Sequence, residues 1–236
     1  MATDPERGGP TPAAEGDPAG DPAARGEHWW PVALAVLVAA ALHLVLPTDY
    51  RAAPRWLVPS AVITLLTVLI VGDPGRIDRR RTWLRVVTSL LIAAITTANL
   101  FAAGRLVAEI LTNNKLYANN ATGLLETGGV IWATNIITFG LWYWDLDRGG
   151  AAARAHRPFA NPAFVFPEMQ HGGFGPPDWV PVYVDYLSLA FWTATAFSPT
   201  DVSAIKPWAK LLMMTQAAVS LVVVGLVIAR AINILS

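Results

Sequence analysis

Long apolar runs without a single charged residue recur along this chain. Five of them have 17 to 20 residues, close to the roughly 20 that an α-helix needs to cross about 30 Å of hydrocarbon. Together with their apolar flanks, they predict transmembrane helices at about residues 29–48, 56–72, 84–111, 122–144 and 207–235.

A sixth run, residues 180–198, is more polar because it contains Asp185 and several serines and threonines, and it has Pro181 near its start. It predicts either a sixth transmembrane helix or a re-entrant helix that returns to the side it entered. Six spans with the N-terminus inside place eleven basic residues inside and six outside, as the positive-inside rule favours. Re-entry from the outer side would move the cluster Arg76–Arg85 outside. We therefore predict an all-α bundle of six transmembrane helices, with five spans and a re-entrant helix as the alternative.

Composition supports a membrane protein and excludes some other classes. Hydrophobic residues make up 54% of the chain and charged residues only 14%, against about 25% charged in soluble domains. Seventeen basic residues balance seventeen acidic ones, so the basic excess of a nucleic-acid-binding protein is missing. The chain contains no cysteine, which excludes disulfides and thiolate chemistry.

The connecting segments predict the orientation. Residues 1–28 are rich in proline, glycine, alanine and acidic residues, and we interpret them as a disordered cytoplasmic tail. They lack the basic start of a signal peptide. With six spans, residues 145–178 form a long cytoplasmic loop, and both termini lie on the cytoplasmic side of the plasma membrane.

Polar residues inside the last two runs are the first candidates for function. Asp185, Ser188 and Thr195 share one helical face with Trp192 and Pro199, because they follow one another at spacings of three and four. On the next helix, Gln216 and Ser220 lie near the matching depth. We expect this face to look into the protein. The predicted polar seam either lines a water-filled path or a ligand pocket, or it only joins helices through hydrogen bonds.

Polar residues outside the predicted seam give weaker indications of a functional site. Arg105, Glu109 and Glu126 cluster at the predicted outer ends of the third and fourth spans and form either an ion-pair network or a site for a charged ligand. Glu168 and His171 have ligand spacing but no second pair, so we predict no metal site. No nucleotide-binding or hydrolase motif occurs in the chain. We therefore predict no catalytic residues, no cofactor and no enzymatic activity.

The C-terminal third resembles a family of uncharacterised bacterial multi-pass integral membrane proteins. The resemblance is carried by Phe166-Pro167-Glu168, by the segments 185–191 and 195–201, and by the helix end at residues 229–233. It implies a bacterial membrane protein and supplies no activity.

A weaker resemblance is to the pore module of tetrameric potassium channels. Residues 186–194 correspond to the pore helix, 193–201 to the filter position and 206–234 to the inner helix. The filter glycines are replaced by a segment without glycine that contains Pro199, so potassium selectivity is not implied.

These observations lead to two competing hypotheses. The first is a channel- or transporter-like membrane protein whose polar seam is the path. The second is a structural or interaction membrane protein without transport activity. In both, the lipid bilayer is the main partner, and a homo-oligomer is compatible with either.

Overall fold

The computed structural model describes residues 26–72, 76–77, 81–112, 120–157, 160–170, 179–195 and 201–235. Most of these residues lie in helices: α1 Trp30–Val45, α2 Leu57–Gly72, α3 Thr82–Leu111, α4 Ala121–Leu146, α5 Ala151–His156, α6 Tyr183–Thr195 and α7 Pro207–Leu235. Three 3-10 turns occur at Thr48–Tyr50, Asp147–Gly149 and Pro167–Met169. The all-α prediction is confirmed. The predicted tail, apart from its last three residues, lies outside the described residues.

Two short antiparallel strand pairs connect the loops. Strand β1 (Glu27–His28) pairs with β2 (Arg76–Ile77), which joins the start of α1 to the connection between α2 and α3. Strand β3 (Phe164–Val165) pairs with β4 (Ser203–Ala204), which precedes α7. Both pairs are two residues long, so they fix loops in place without forming a sheet layer.

Within the described ranges, three helical stretches are long and apolar enough to cross a membrane: α3, Ala121–His156 (α4 continued through α5) and α7. Helices α1 and α2 are apolar but shorter, at 16 residues each. Only 22% of the most apolar part of α7 is buried, and Leu211 and Met214 are more than 60% exposed. Such an apolar surface would be unfavourable in water, and lipid contact removes that cost. These helices support a transmembrane protein.

Helix α4 is the central helix, and its neighbours run antiparallel to it. On α3, Ser89 bonds to Asp145 and Thr96 to Trp142. On α7, Gln216, Ser220 and Val227 contact Tyr143, Asn135 and Gly128 in that order. We call the end where α4 finishes the first end of the bundle, and the end where α4 starts the second end.

Helix α6 is only half as long as the bundle. Its Tyr186 bonds to Asp147 at the first end, and its Phe191 packs on Trp132 near the middle of α4. Thirteen residues rise about 20 Å, too little to cross a bilayer. Because α6 and α7 both run antiparallel to α4, the chain between them must return to the first end.

Contacts of the segment before α7 show this return. The backbone N–H of Ile205 donates to the carbonyl of Ala163 at 2.8 Å, and Trp208 packs edge-on against Phe164. Phe164 in turn contacts Tyr143 in the last turns of α4. Of the run at residues 180–198, the structure describes a helix of 13 residues, Tyr183–Thr195, and six spans are not confirmed.

The direction of α7 places its last described residues at the second end of the bundle. Residues 26–28 lie at the first end, where Glu27 accepts a hydrogen bond from Trp144. At the other end of α7, Ala231 belongs to the same buried cluster as Ala121 and Leu124, which form the start of α4. Residues 26–28 and the end of α7, which are the two ends of the described part of the chain, therefore lie at opposite ends of the bundle.

Two glycines of α4 allow close helix packing. A Cβ at Gly128 would lie 2.8 Å from a methyl group of Val227 on α7. A Cβ at Gly140 would lie 3.2 Å from the Cα of Leu187 on α6. Both neighbouring helices approach the α4 backbone at positions that have no side chain, as in other membrane bundles.

Candidate functional site

The start of α6 is fixed by two acidic side chains from other parts of the chain. The backbone N–H of Tyr183 donates to Glu27 at 2.5 Å, and the hydroxyl of Tyr186 donates to Asp147 at 2.6 Å. The other Asp147 oxygen accepts from the backbone N–H of Ala163 at 2.7 Å. Asp147 is fully buried, so these bonds replace the water that its carboxylate would otherwise need.

Arg154 on α5 joins the two acids. It donates to the carbonyls of Trp144 and Asp147 at 2.6 and 3.0 Å, and lies 3.6 Å from the Glu27 carboxylate. Its guanidinium also stacks over the ring of Tyr186, 5.1 Å from the centroid. We call Glu27, Asp147, Arg148, Arg154 and Tyr186 the anchor network, since they attach the half-helix and the following loop to the bundle.

A tight turn after α4 makes the anchor network geometrically feasible. Arg148, Gly149 and Gly150 all have positive φ, between 54° and 94°. The two glycines adopt this conformation at low cost, whereas Arg148 does so with strain. Arg148 is nevertheless 92% buried, with its Nε 3.4 Å from Asp147 and an N–H donated to the sulfur of Met169. Its charge and its bonds hold the strained turn in place.

Below the anchor network, buried polar groups connect α4, α6 and α7. The Tyr143 hydroxyl donates to Gln216 at 2.5 Å, and the Gln216 amide donates to the carbonyl of Ala190 at 2.7 Å. One helical turn further along α7, Asn135 donates to Ser220 at 3.0 Å. Gln216 therefore joins all three helices, and it does so through the half-helix backbone.

The predicted polar seam is divided between two surfaces. Gln216 and Ser220 are buried against α4 as described. Asp185 is half-buried, and its carboxylate accepts from the backbone N–H of Val182 at 2.8 Å, which caps the start of α6. Thr195 donates to the carbonyl one turn back.

The α6 face expected to look inward instead includes exposed residues. Ser188 lies at the surface, and Trp192 is 55% exposed. The opposite face of α6, with Tyr186, Leu189 and Ala190, is the buried one. Pro199 lies outside the described residues.

The second end holds Arg105 and Glu109 together, in contact with Tyr50. Glu109 is buried and accepts a hydrogen bond from the Tyr50 hydroxyl. Arg105 lies 3.5 Å from Glu109 one turn away on α3, and half of its side chain is exposed. Glu126 lies on α4 with an exposed side chain. The arrangement is a small interfacial cluster.

Most of the anchor network was not foreseen from the sequence. Asp147, Arg148 and Arg154 follow a long apolar run and look like ordinary interfacial charges, while Glu27 precedes one. The available signal was the change from Asp145-Leu-Asp147-Arg148 to Gly149-Gly150, which marks a tight turn beside paired charges. Among the described residues no group of His, Asp and Glu could hold a metal ion. Glu168 is exposed, and His171 lies outside the described residues.

A cavity of about 610 Å³ opens at the first end between α1, α2, α3 and α4. Its deeper wall is apolar and its mouth is basic. None of its described lining residues belongs to α6. It shares α4 and Arg148 with the site described above, and it is a second candidate site on the other side of α4.

These features define a helical protein of the membrane-spanning type, with a half-helix held at one end. No family model matches the chain, and neither a curated protein nor a solved structure matches it.

Proposed function

We propose that this protein is a channel- or transporter-like membrane protein in which α4, α6 and α7 form a path for a small cation. The carrying observation is that the described part of α6 covers only half of the bundle, while α7 begins again at the first end. A polar backbone end at this depth is tolerated where it is buried in protein or lines a water-filled cavity.

The chemistry of a helix end favours a cation. The last carbonyls of a helix have no partner within the helix, and the helix dipole adds partial negative charge there. Half-helix ends and unwound carbonyls coordinate sodium ions or protons in transporters. Gln216, bonded to the Ala190 carbonyl, keeps this end oriented.

The order of elements supports the weaker of the two sequence resemblances. A long helix, a half-helix and a second long helix antiparallel to the first correspond to the outer helix, pore helix and inner helix of a pore module. We therefore propose a homo-oligomer with the path at its centre, located in a bacterial plasma membrane. Without filter glycines, it should pass potassium and sodium at comparable rates.

For the membrane arrangement we propose five crossing helices and one re-entrant helix entering from the cytoplasm. The described basic residues then fall mainly on one side, with eight at the first end and four elsewhere. Those at the first end are Arg76, Arg81, Arg85, Arg148, Arg154, Arg157, Lys206 and Lys210, and the others are Arg51, Arg55, Arg105 and Arg230. The positive-inside rule therefore favours a cytoplasmic first end.

Single cysteines test this arrangement cleanly, because the chain has none of its own. Cysteines at the exposed positions Gln170, Ser203 and Leu235 should behave differently in intact cells. We expect Leu235→Cys to be labelled from outside, and Gln170→Cys and Ser203→Cys only after permeabilisation. Labelling of Gln170→Cys and Ser203→Cys from opposite sides would restore six spans and remove the basis of the proposal.

Cation flux into reconstituted vesicles tests the path. Thr195 at the end of α6 and Thr215 on the exposed face of α7 both donate to a carbonyl four residues back, which makes them a matched pair. Replacing Thr195 by valine removes a polar group worth about 1–2 kcal/mol in a membrane interior. We expect roughly tenfold slower flux for Thr195→Val and unchanged flux for Thr215→Val. Wild-type flux no faster than in protein-free vesicles would refute transport.

The second candidate is a structural or interaction protein without transport. One observation favours it: Asp185 caps α6 and Gln216 is fully bonded, so both can be explained by helix packing alone. Under this hypothesis Thr195→Val and Gln216→Leu lower the thermal stability of the purified protein, while flux stays at background in every variant.

A further inference from the structure

The cavity at the first end changes character with depth. Along α3, the lining residues run from Arg81 and Arg85 at the mouth to Leu91 and Ile92 inside. Eleven residues of helix correspond to about 16 Å of depth. Val36 of α1, Leu66 of α2 and Leu141 of α4 complete the deeper wall. The site therefore offers an apolar slot below a polar entrance.

The entrance is strongly basic. Five cationic side chains line it, from three parts of the chain: Arg81 and Arg85, Arg148 and Arg157, and Lys206. Asp145 is the acidic residue in the lining, and it is 4% exposed and accepts a hydrogen bond from Ser89 at 2.9 Å. Arg148 is paired with Asp147, but the other four cations still outnumber the one lining carboxylate, so positive charge exceeds negative charge where a ligand would enter.

The remaining entrance residues leave room near the backbone. Residues 149–153 read Gly-Gly-Ala-Ala-Ala and all line the cavity. Side chains this small let the head of a ligand approach the main chain and the flanking guanidinium groups together. A volume of about 610 Å³ lies within the roughly 300–1,000 Å³ typical of small-molecule sites.

We propose that this cavity binds an anionic phospholipid, with its phosphate at the basic entrance and one acyl chain in the apolar slot. A single arginine side chain can form two parallel hydrogen bonds to phosphate oxygens. Basic pockets between transmembrane helices recognise anionic headgroups. The slot selects for an acyl chain, so a free phosphate ion would satisfy only half of the site. The proposal does not depend on transport by the α4–α6–α7 unit.

Binding is measured on the purified full-length protein in a neutral detergent. Short-chain phosphatidylglycerol is the probe, and phosphatidylcholine and glycerol phosphate are the comparison compounds. We expect saturable binding of phosphatidylglycerol that is much tighter than binding of phosphatidylcholine, with no competition by glycerol phosphate at equal concentration. Equal binding of both lipids would overturn the assignment, as would equal competition by glycerol phosphate.

Substitutions at the entrance separate this site from general electrostatic attraction. Removing one basic residue near an anionic headgroup weakens binding about fivefold, so Arg85→Gln combined with Arg157→Gln should weaken it about thirtyfold. Arg55→Gln, an exposed arginine at the second end, is the matched control and should bind like the wild type. If the double variant and the control bind equally, the entrance is not the site.

A variant inside the slot tests the acyl chain directly. Thr88 is half-buried and lines the cavity, and phenylalanine there would occupy the slot while all five basic residues remain. We expect Thr88→Phe to lose phosphatidylglycerol binding with an unfolding temperature no lower than the wild type. Retained binding in a folded Thr88→Phe protein would contradict the proposal.

Discussion

At the first end of the bundle, two buried carboxylates, two buried arginines and a tyrosine hydroxyl hold a half-helix and a loop against α4. At the second end, full-length helices meet through a mostly apolar cluster in which Ala102, Leu106 and Leu124 are almost completely buried. The ionic contact there is Arg105 with Glu109, and Arg105 is half exposed.

This difference follows from the geometry of the helices. A full-length apolar helix is stabilised by lipid and by neighbouring helices along its whole surface, so its end needs few specific contacts. A half-helix can pack against its neighbours over a length of only about 20 Å. Hydrogen bonds with Glu27, Asp147 and Gln216 hold the half-helix in place. The longer helices are held by contacts along their whole length instead.

The largest effect is expected from Asp147→Ala. This change leaves Arg148 buried without its acid, and removes the side-chain acceptor of the Tyr186 hydroxyl and of the Ala163 N–H. Breaking a buried ion pair costs about 3–5 kcal/mol, so we expect a loss of this size in the free energy of unfolding in detergent. Asp201→Ala, at an exposed position of the same end, should change stability by less than about 0.5 kcal/mol. Equal effects of the two variants would show that the anchor network does not stabilise the fold.

A smaller effect is expected from Gly128→Ala towards the second end. The new methyl group would lie 2.8 Å from Val227, and overpacking of this kind costs about 1–3 kcal/mol. Gly129→Ala is the control, because its methyl group meets no atom within 4 Å and alanine favours the helix by up to about 1 kcal/mol. Unfolding temperatures of the two variants should therefore move in opposite directions. A shift of both in the same direction would argue against close packing of α4 and α7.

The smallest effect is expected from Glu109→Gln. Glutamine can still accept the Tyr50 hydrogen bond, so the change removes mainly the ion pair with Arg105. Such pairs with an exposed partner contribute about 0–1 kcal/mol, and unfolding in high salt should reduce the difference further. A loss as large as that of Asp147→Ala would mean that both ends depend on buried charge, and the contrast between them would disappear.

Much of the fold could be predicted from local patterns. The apolar runs placed α1, α2, α3, α4 and α7 close to where they lie, because span length and hydropathy are properties of a few neighbouring residues. Gln216 and Ser220 were predicted to belong to a polar seam with Asp185, and in the structure both are buried and hydrogen-bonded to α4. Their partners Tyr143 and Asn135 were missed, since both lie inside an apolar run that gave no reason to select them.

The sequence could not determine the direction of the chain after α6. A run of moderate hydropathy with Asp185 near its start fits a full span or a half-helix equally well. Re-entry was predicted only from the outer side. In the structure, α6 starts at the first end and α7 starts there again and runs towards the second end.

The sequence by itself thus determined that the protein is a helical bundle with apolar helices, because each helix is stabilised by its own composition and length. Only the tertiary structure decided the half-helix, the opposite positions of the chain ends and the basic cavity. Those features depend on pairs far apart in the chain, such as Glu27 with Tyr183, which are 156 residues apart. A hydrogen bond between such residues leaves no periodic pattern in the sequence, and it exists only once the chain has folded.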